Sequence, residues 1–173
     1  MTTYVTATIP SPVGPLTLLG SDSGLRAVLW PTEAPGERVP WPDATEHDPE
    51  HAVLRLATDQ LDEYFAGRRR TFEVPLDLHG TPFQVKIWRL LATVPYGSTV
   101  SYRQQALLAG DANKARAVGA ANGRNPASVI LPCHRVIGAS GALTGFAGGL
   151  DAKRSLLEFE AKVVKEGPIP FPR

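Results

Sequence analysis

The sequence predicts a mixed α/β protein of the α+β kind: a small antiparallel sheet with one helix, then a mostly helical lobe. Three observations predict it. Short apolar runs punctuated by Pro and Gly fill the first thirty residues, as in strands joined by tight turns. Apolar residues at helical spacing take over at Leu54 and return after Thr81. The charge also reverses along the chain. Residues 1–80 carry six basic and twelve acidic side chains, and residues 81–140 carry seven basic and one acidic. The expected organisation is a structural strand-and-helix lobe over 1–75, a linker over 76–80, a second lobe over 81–165 and a tail over 166–173.

The strand-like runs are Tyr4 to Ile9, Leu16 to Leu19 and Leu25 to Trp30, separated by Pro10, Pro12, Gly14, Pro15 and Gly24. A Pro-rich loop follows from Pro31 to Pro42. Asp48-Pro49-Glu50 reads as an N-cap, a first-turn proline and an acid, opening a helix with Leu54, Ala57, Leu61, Tyr64 and Phe65 on its apolar face. His47 and His51 stand four apart, but the helix start between them makes them exposed capping-region residues and not metal ligands. Gly67 ends the helix, and Phe72-Glu73-Val74 is a candidate strand.

Thr81-Pro82 opens a second helix with Phe83, Ile87, Leu90 and Leu91 on one face, and Pro95-Tyr96-Gly97 makes a turn. Ser101 starts a short helix to Ala109, and Asn113 is placed to cap another from Lys114 to Asn122. Two short helices about a Gly-containing connection form a helix-turn-helix candidate. Ala115, Ala117, Gly119, Ala120 and Ala121 let the second helix approach other surfaces closely, a nucleic-acid groove on one face and a neighbouring helix on another. Gly123-Arg124-Asn125-Pro126 breaks that helix. Val129-Ile130-Leu131 then reads as a buried strand delivering Cys133. Arg135 to Gly138 and Ala142 to Gly145 read as a hairpin, Asp151 to Lys162 as the last helix, and Gly167 to Arg173 as a loosely held tail.

With 43% hydrophobic and 20% charged residues over 173, the composition excludes a disordered chain. One cysteine excludes an intramolecular disulfide framework and a Cys-rich zinc site. Met1 to Val5 shows no signal-peptide pattern, and no apolar run approaches the ~20 residues that span a bilayer. A cytoplasmic location, at the nucleoid when on DNA or in the nucleus of a eukaryotic source, without membrane attachment, is the expectation. The basic excess of residues 81–140 is the footprint of a polyanion-binding face, or a solvated surface.

The chemistry centres on Pro132-Cys133-His134-Arg135-Val136. A lone buried cysteine is usually a small hydrophobe. Here an imidazole follows it directly and a Gly-rich segment runs from Gly138 to Gly149, the layout of a reactive thiol beside a pocket. Those glycines lack Gly-Lys-Ser/Thr, so they do not form a phosphate-binding loop.

The second lobe resembles the O6-alkylguanine-DNA alkyltransferases, or methylated-DNA–protein-cysteine methyltransferases. The motifs that carry the resemblance, in order, are Val94-Pro95-Tyr96-Gly97, Val100-Ser101-Tyr102, Ala115-Arg116-Ala117-Val118-Gly119, Asn125-Pro126, the Cys133 pentapeptide, Gly145-Phe146-Ala147-Gly148-Gly149, Leu156-Leu157 and Glu160. They cover about residues 81–163; the first lobe matches only in size and element order. The resemblance implies a suicidal repair protein that takes the alkyl group from O6-alkylguanine in double-stranded DNA onto Cys133, with O4-alkylthymine as a second candidate substrate. It implies His134 as the base acting through a water, Glu160 as its orienting carboxylate and Asn125 as the holder of the turn before the nucleophile. It implies Tyr102 beside an extruded nucleotide, and Arg116 filling the gap in the base stack. Lys114, Ala115, Gly119 and Arg124 would face DNA, with the recognition helix in the minor groove. Val136, Ala147 and Phe146 would line the guanine pocket. Phe146 stands where the family commonly has Tyr. No cofactor is implied, because the damaged base is itself the alkyl donor, and no metal is implied. A monomer in solution, able to cluster on DNA, is expected.

Rival readings are a damage-flagging binder, which in such relatives lacks the cysteine; a transcription factor, which would need a dimerisation segment; and a cysteine hydrolase, which would turn over repeatedly.

Overall fold

The computed structural model describes residues 1–168. The N-terminal lobe is a four-stranded sheet in the order β3-β2-β1-β4. β1 (Val5–Ile9), β2 (Leu16–Ser21) and β3 (Gly24–Leu29) are antiparallel neighbours. The fourth, β4 (Glu46–His47), pairs parallel with β1 and was not legible as a strand. α1 (Ala52–Phe65) buries Leu54, Ala57, Leu61, Tyr64 and Phe65 in the same cluster as Leu16, Leu18 and Leu25 of the sheet.

Five expectations need correction. α1 is capped by His51, whose side chain accepts from Val53 N, and not by Asp48. Asp48 instead accepts from Glu50 N at 3.2 Å, closing a turn before the helix. His51 also contacts Asp22 at 2.7 Å. Phe72-Glu73-Val74 is not a strand. Its Glu73 backbone bonds the Gln60 side chain, as donor and acceptor, in place of a sheet ladder. Asn113 caps no helix: Asp111 caps the 3-10 turn Ala112–Lys114, and α4 (Ala115–Gly123) begins behind it. Val129 and Ile130 form a turn and not a strand, flanked by an isolated bridge between Ser128 and Leu131, with Val129 at φ +73°. The anticipated hairpin is replaced by a tight turn closed by Gly138 N to Ala142 O at 2.8 Å, while β6 (Val136–Ile137) pairs parallel with β5 (Val100–Ser101). The predicted tail falls partly on residues 169–173, outside the described residues.

The C-terminal lobe packs α2 (Pro82–Leu91), α3 (Tyr102–Leu108) and α4 around Ile87, Ala106, Val118 and Ala121. α2 and α3 start in capping boxes, Thr81 with Gln84 and Ser101 with Gln104, which satisfy otherwise orphaned backbone donors. Gln105 and Asn122 exchange two buried side-chain hydrogen bonds, at 3.1 and 2.7 Å, and so fix α3 against α4. α5 (Leu150–Glu166) closes the lobe and continues past the predicted end at Lys162.

The lobes are joined through backbone and aromatic contacts. Val28 N donates to Pro126 O at 2.8 Å, and Trp30 Nε1 donates to Ser128 Oγ at 3.1 Å. Phe146 packs edge-on against Trp30 at 5.2 Å. Gly148 lies so close to Trp30 that an added Cβ would sit 2.5 Å from the indole, so a side chain there would force the loop away. No helix among the described residues is long and apolar enough to cross a membrane.

Candidate active site

Cys133 stands at the head of a 3-10 turn, Cys133–Arg135. Asn125 shapes the loop leading into it: its Nδ2 donates to Leu131 O at 2.7 Å and its Oδ1 accepts from Ala127 N at 3.0 Å. Pairing of β5 with β6 brings the start of α3 against the turn. Cys133 and Val136 therefore share one apolar cluster, and Tyr102 and Phe146 pack against it.

Glu160 of α5 is fully buried, and both its oxygens are engaged. Oε2 meets His134 Nε2 at 2.6 Å, the Tyr64 hydroxyl at 2.6 Å and Arg135 Nη2 at 3.1 Å. Oε1 accepts from Arg135 Nε at 2.9 Å and from Gly97 N at 3.3 Å. An ionised carboxylate only accepts, so Nε2 of His134 carries the proton and Nδ1 of the neutral ring is its free base. His134 Nδ1 is buried and has no hydrogen-bond partner among the described residues.

The electrostatics agree with that tautomer. Burial works to raise the pKa of Glu160, but donation from His134 and the Arg135 guanidinium outweigh it and hold the carboxyl down to about 2. Burial lowers the pKa of His134, against the upward pull of Glu160, so the ring is neutral. Burial raises the Cys133 thiol, opposed by Asn125 and by the charges of Lys153 and Arg38. At rest Cys133 is thus a neutral thiol and His134, next to it in sequence, a neutral imidazole, so Cys133 could act as a nucleophile only after giving up its proton.

Both Glu160 and His134 have folded pKa values below their ordinary ones, so in acid the unfolded chain binds more protons. The stability they contribute is complete above the ordinary His value of 6.5, falls as pH drops below it, and falls again from the ordinary carboxyl value of 4.5 towards 2. Thermal unfolding followed against pH is expected to show this two-stage acid loss. A melting temperature flat from neutrality to about pH 4 would contradict the assignment.

The other sequence-derived residues fall in several places. Val136 is buried and Tyr102 and Phe146 are half-buried in the cluster that holds the thiol, while Ala147, also half-buried, packs with Phe146 against the core of the N-terminal lobe. The Tyr102 hydroxyl lies 3.1 Å from Thr144 Oγ1. Arg116 and Lys114 are exposed, Ala115 and Gly119 half-buried, and a Cβ added to Gly119 would sit 3.7 Å from the Tyr102 ring, so α4 runs beside that tyrosine. Lys114 Nζ also lies over the Phe83 ring at 5.7 Å. Arg124 is set apart, lining a cavity of about 290 Å³ with Arg38, His79 and Trp88. No group of three or more His, Cys, Asp or Glu that could hold a metal occurs among the described residues.

The family model of the 6-O-methylguanine DNA methyltransferase DNA-binding domain matches residues 82–162, and that of the ribonuclease-like domain of the same methyltransferase matches residues 4–78. The chain belongs to the 6-O-methylguanine DNA methyltransferase family. It is 50% identical over 153 residues to the methylated-DNA–protein-cysteine methyltransferase of Mycobacterium tuberculosis strain H37Rv, covering 88% of this chain and 90% of that protein. It is 44% identical over 154 residues to the protein of the same name from Methanosarcina acetivorans, covering 89% and 96%. It matches the crystal structure of Mycobacterium tuberculosis OGT in complex with DNA with a TM-score of 0.80, at 48% identity and 92% coverage of each chain.

In this methyltransferase the sequence reading missed Arg135, Tyr64 and Lys153. Arg135 is next to His134 and could have been found from a cation beside a buried acid. Lys153 is 1% exposed, and its Nζ donates to Thr144 O at 3.0 Å and lies 5.9 Å from the Tyr102 and Phe146 rings. It stands seven residues before Glu160, two helical turns along the same face, and that spacing was its signal.

Proposed function

We propose that the chain is a single-use DNA-repair protein that transfers the alkyl group of O6-alkylguanine in duplex DNA to Cys133 Sγ. The observation that carries the reading is the order Cys133, His134, Glu160: a lone buried thiol, then an imidazole whose one nitrogen is committed to a carboxylate at 2.6 Å and whose other is a free base. His134, through a water, takes the thiol proton. Sγ attacks the alkyl carbon, the carbon–oxygen bond breaks, and guanine leaves with its electron pair. Guanine regains one proton, from the Tyr102 hydroxyl in this scheme, so the balance needs no oxidant and no cofactor. The thioether is stable, which limits each chain to one event.

The target atom of stacked DNA is out of reach of a thiol 8% exposed, so the nucleotide has to be extruded, at a few kcal/mol. α3 and α4 act as a helix-turn-helix, and the small residues Ala115 and Gly119 allow α4 to enter the minor groove. Val136 and Ala147 offer backbone groups to the guanine edge beside Phe146. Residues 81–165 carry both DNA binding and the acceptor, and the protein works as a monomer.

Exposed Arg116 substitutes for the extruded base in the stack. Arg116→Ala is expected to slow transfer from duplex DNA by about tenfold while leaving reaction with free O6-alkylguanine base almost unchanged, because only the duplex reaction bears the unstacking cost. Equal losses on both substrates would remove Arg116 from extrusion. A parent chain that takes an alkyl group from neither would sink the alkyltransferase reading.

A further inference from the structure

We propose that Tyr64, from the N-terminal lobe, is a positioning residue for alkyl transfer, acting on His134 through the carboxylate of Glu160. The proposal rests on Cys133 being the alkyl acceptor. Tyr64 lies on α1, is 0% exposed, and reaches across 96 residues of sequence to donate to Glu160 Oε2 at 2.6 Å. That same oxygen receives His134 Nε2 at 2.6 Å. Phe65, Phe72, Tyr96 and Phe159 hold the Tyr64 ring at centroid distances of 5.0 to 6.1 Å, so the hydroxyl cannot swing away. A phenylalanine would serve the packing equally well. The hydroxyl has a different consequence: two short donors compete for the electron density of one oxygen. Burial and the Glu160 charge raise the Tyr64 pKa, so it remains a donor wherever the site functions.

The other groups facing this carboxylate hold it in place without Tyr64. Arg135 donates to both oxygens and Gly97 N to Oε1. The Tyr96 hydroxyl, buried and raised to about 12 by burial and then by Glu160, and Arg70 over its ring complete that side. On the imidazole itself act the Arg135 and Lys153 charges, both of which oppose its protonation. Loss of the Tyr64 hydroxyl alone therefore leaves the ion pair standing and returns electron density to the contact with His134. The imidazole then holds a proton more tightly, and less of it is the free base that the thiol needs. The N-terminal lobe, by this account, sets how far into acid the protein can react.

The test is the rate of alkylation by an O6-methylguanine duplex, followed by intact mass across pH, for the full-length parent and Tyr64→Phe. Histidine titrates between about pH 5 and 8, so Tyr64→Phe is expected to react at least about threefold more slowly than the parent near about pH 6 and at nearly the parent rate near about pH 8.5. Site-specific 3-fluorotyrosine at position 64, a stronger donor of the same shape, is expected to move the acid limb the opposite way. A superimposable profile, or a loss uniform across pH, in either variant would overturn the proposal and leave Tyr64 as packing. A parent that gains no alkyl group would overturn the acceptor reading itself.

Discussion

Glu160→Gln is expected to impair stability and transfer together. The amide has the volume of the carboxylate but no charge, and Arg135, 4% exposed, would keep its guanidinium buried without a counter-ion. Breaking a buried ion pair from one side costs about 3–5 kcal/mol. For a chain of this length that lowers the melting temperature by on the order of 10 °C. The amide also cannot satisfy its surroundings. Tyr64, His134, Arg135 and Gly97 all present donors to the two oxygens, so the new NH2 would oppose at least one of them. His134 would lose its fixed tautomer, and transfer should slow by about 10²-fold, the scale of a general-base contribution. Calorimetry and single-turnover rates check this. A melting temperature within a degree or two of the parent, with an unchanged rate, would show that Glu160 neither anchors the site nor orients the base.

Cys133→Ser is expected to abolish transfer and leave the fold and DNA binding in place. A hydroxyl is a much weaker nucleophile than a thiolate towards carbon, and His134 cannot ionise it to a useful extent. The thiol is nearly buried, and Asn125, whose bonds to Leu131 and Ala127 shape the turn, does not depend on sulfur for those bonds. The variant should bind duplex DNA within a few-fold of the parent by fluorescence anisotropy. Retained alkylation would remove Cys133 as acceptor. Loss of binding together with transfer would show that the residue has a structural role.

The parts of the fold legible in sequence are those written in local pattern. Capping residues Thr81 and Ser101 and the apolar spacing of α1 identified their helices because caps and periodicity act over one or two turns. Val129-Ile130-Leu131 misled because β-branched composition favours a strand, whereas Asn125 bends this segment into a loop and places Val129 in the left-handed region. The family resemblance singled out Cys133, His134 and Glu160, and the structure brings His134 and Glu160 to 2.6 Å. Tyr64 was not singled out, because on α1 it reads as one more apolar-face residue, and its partner lies in the other lobe. Lys153 taken singly reads as a solvated helix charge; its two-turn spacing from Glu160 puts it on the same buried face, where it lies against the Tyr102 and Phe146 rings.

The proposed mechanism requires that this one thiol be the alkyl acceptor. Its most direct test is intact-mass analysis after mixing the protein with an excess of duplex carrying O6-methylguanine, followed by peptide mapping. The expected result is a gain of a single methyl group per chain, located on Cys133, with no further loss of lesion from the DNA once every chain has reacted. Continued removal of the lesion with the protein mass unchanged, or a methyl group mapped to any other residue, would contradict it.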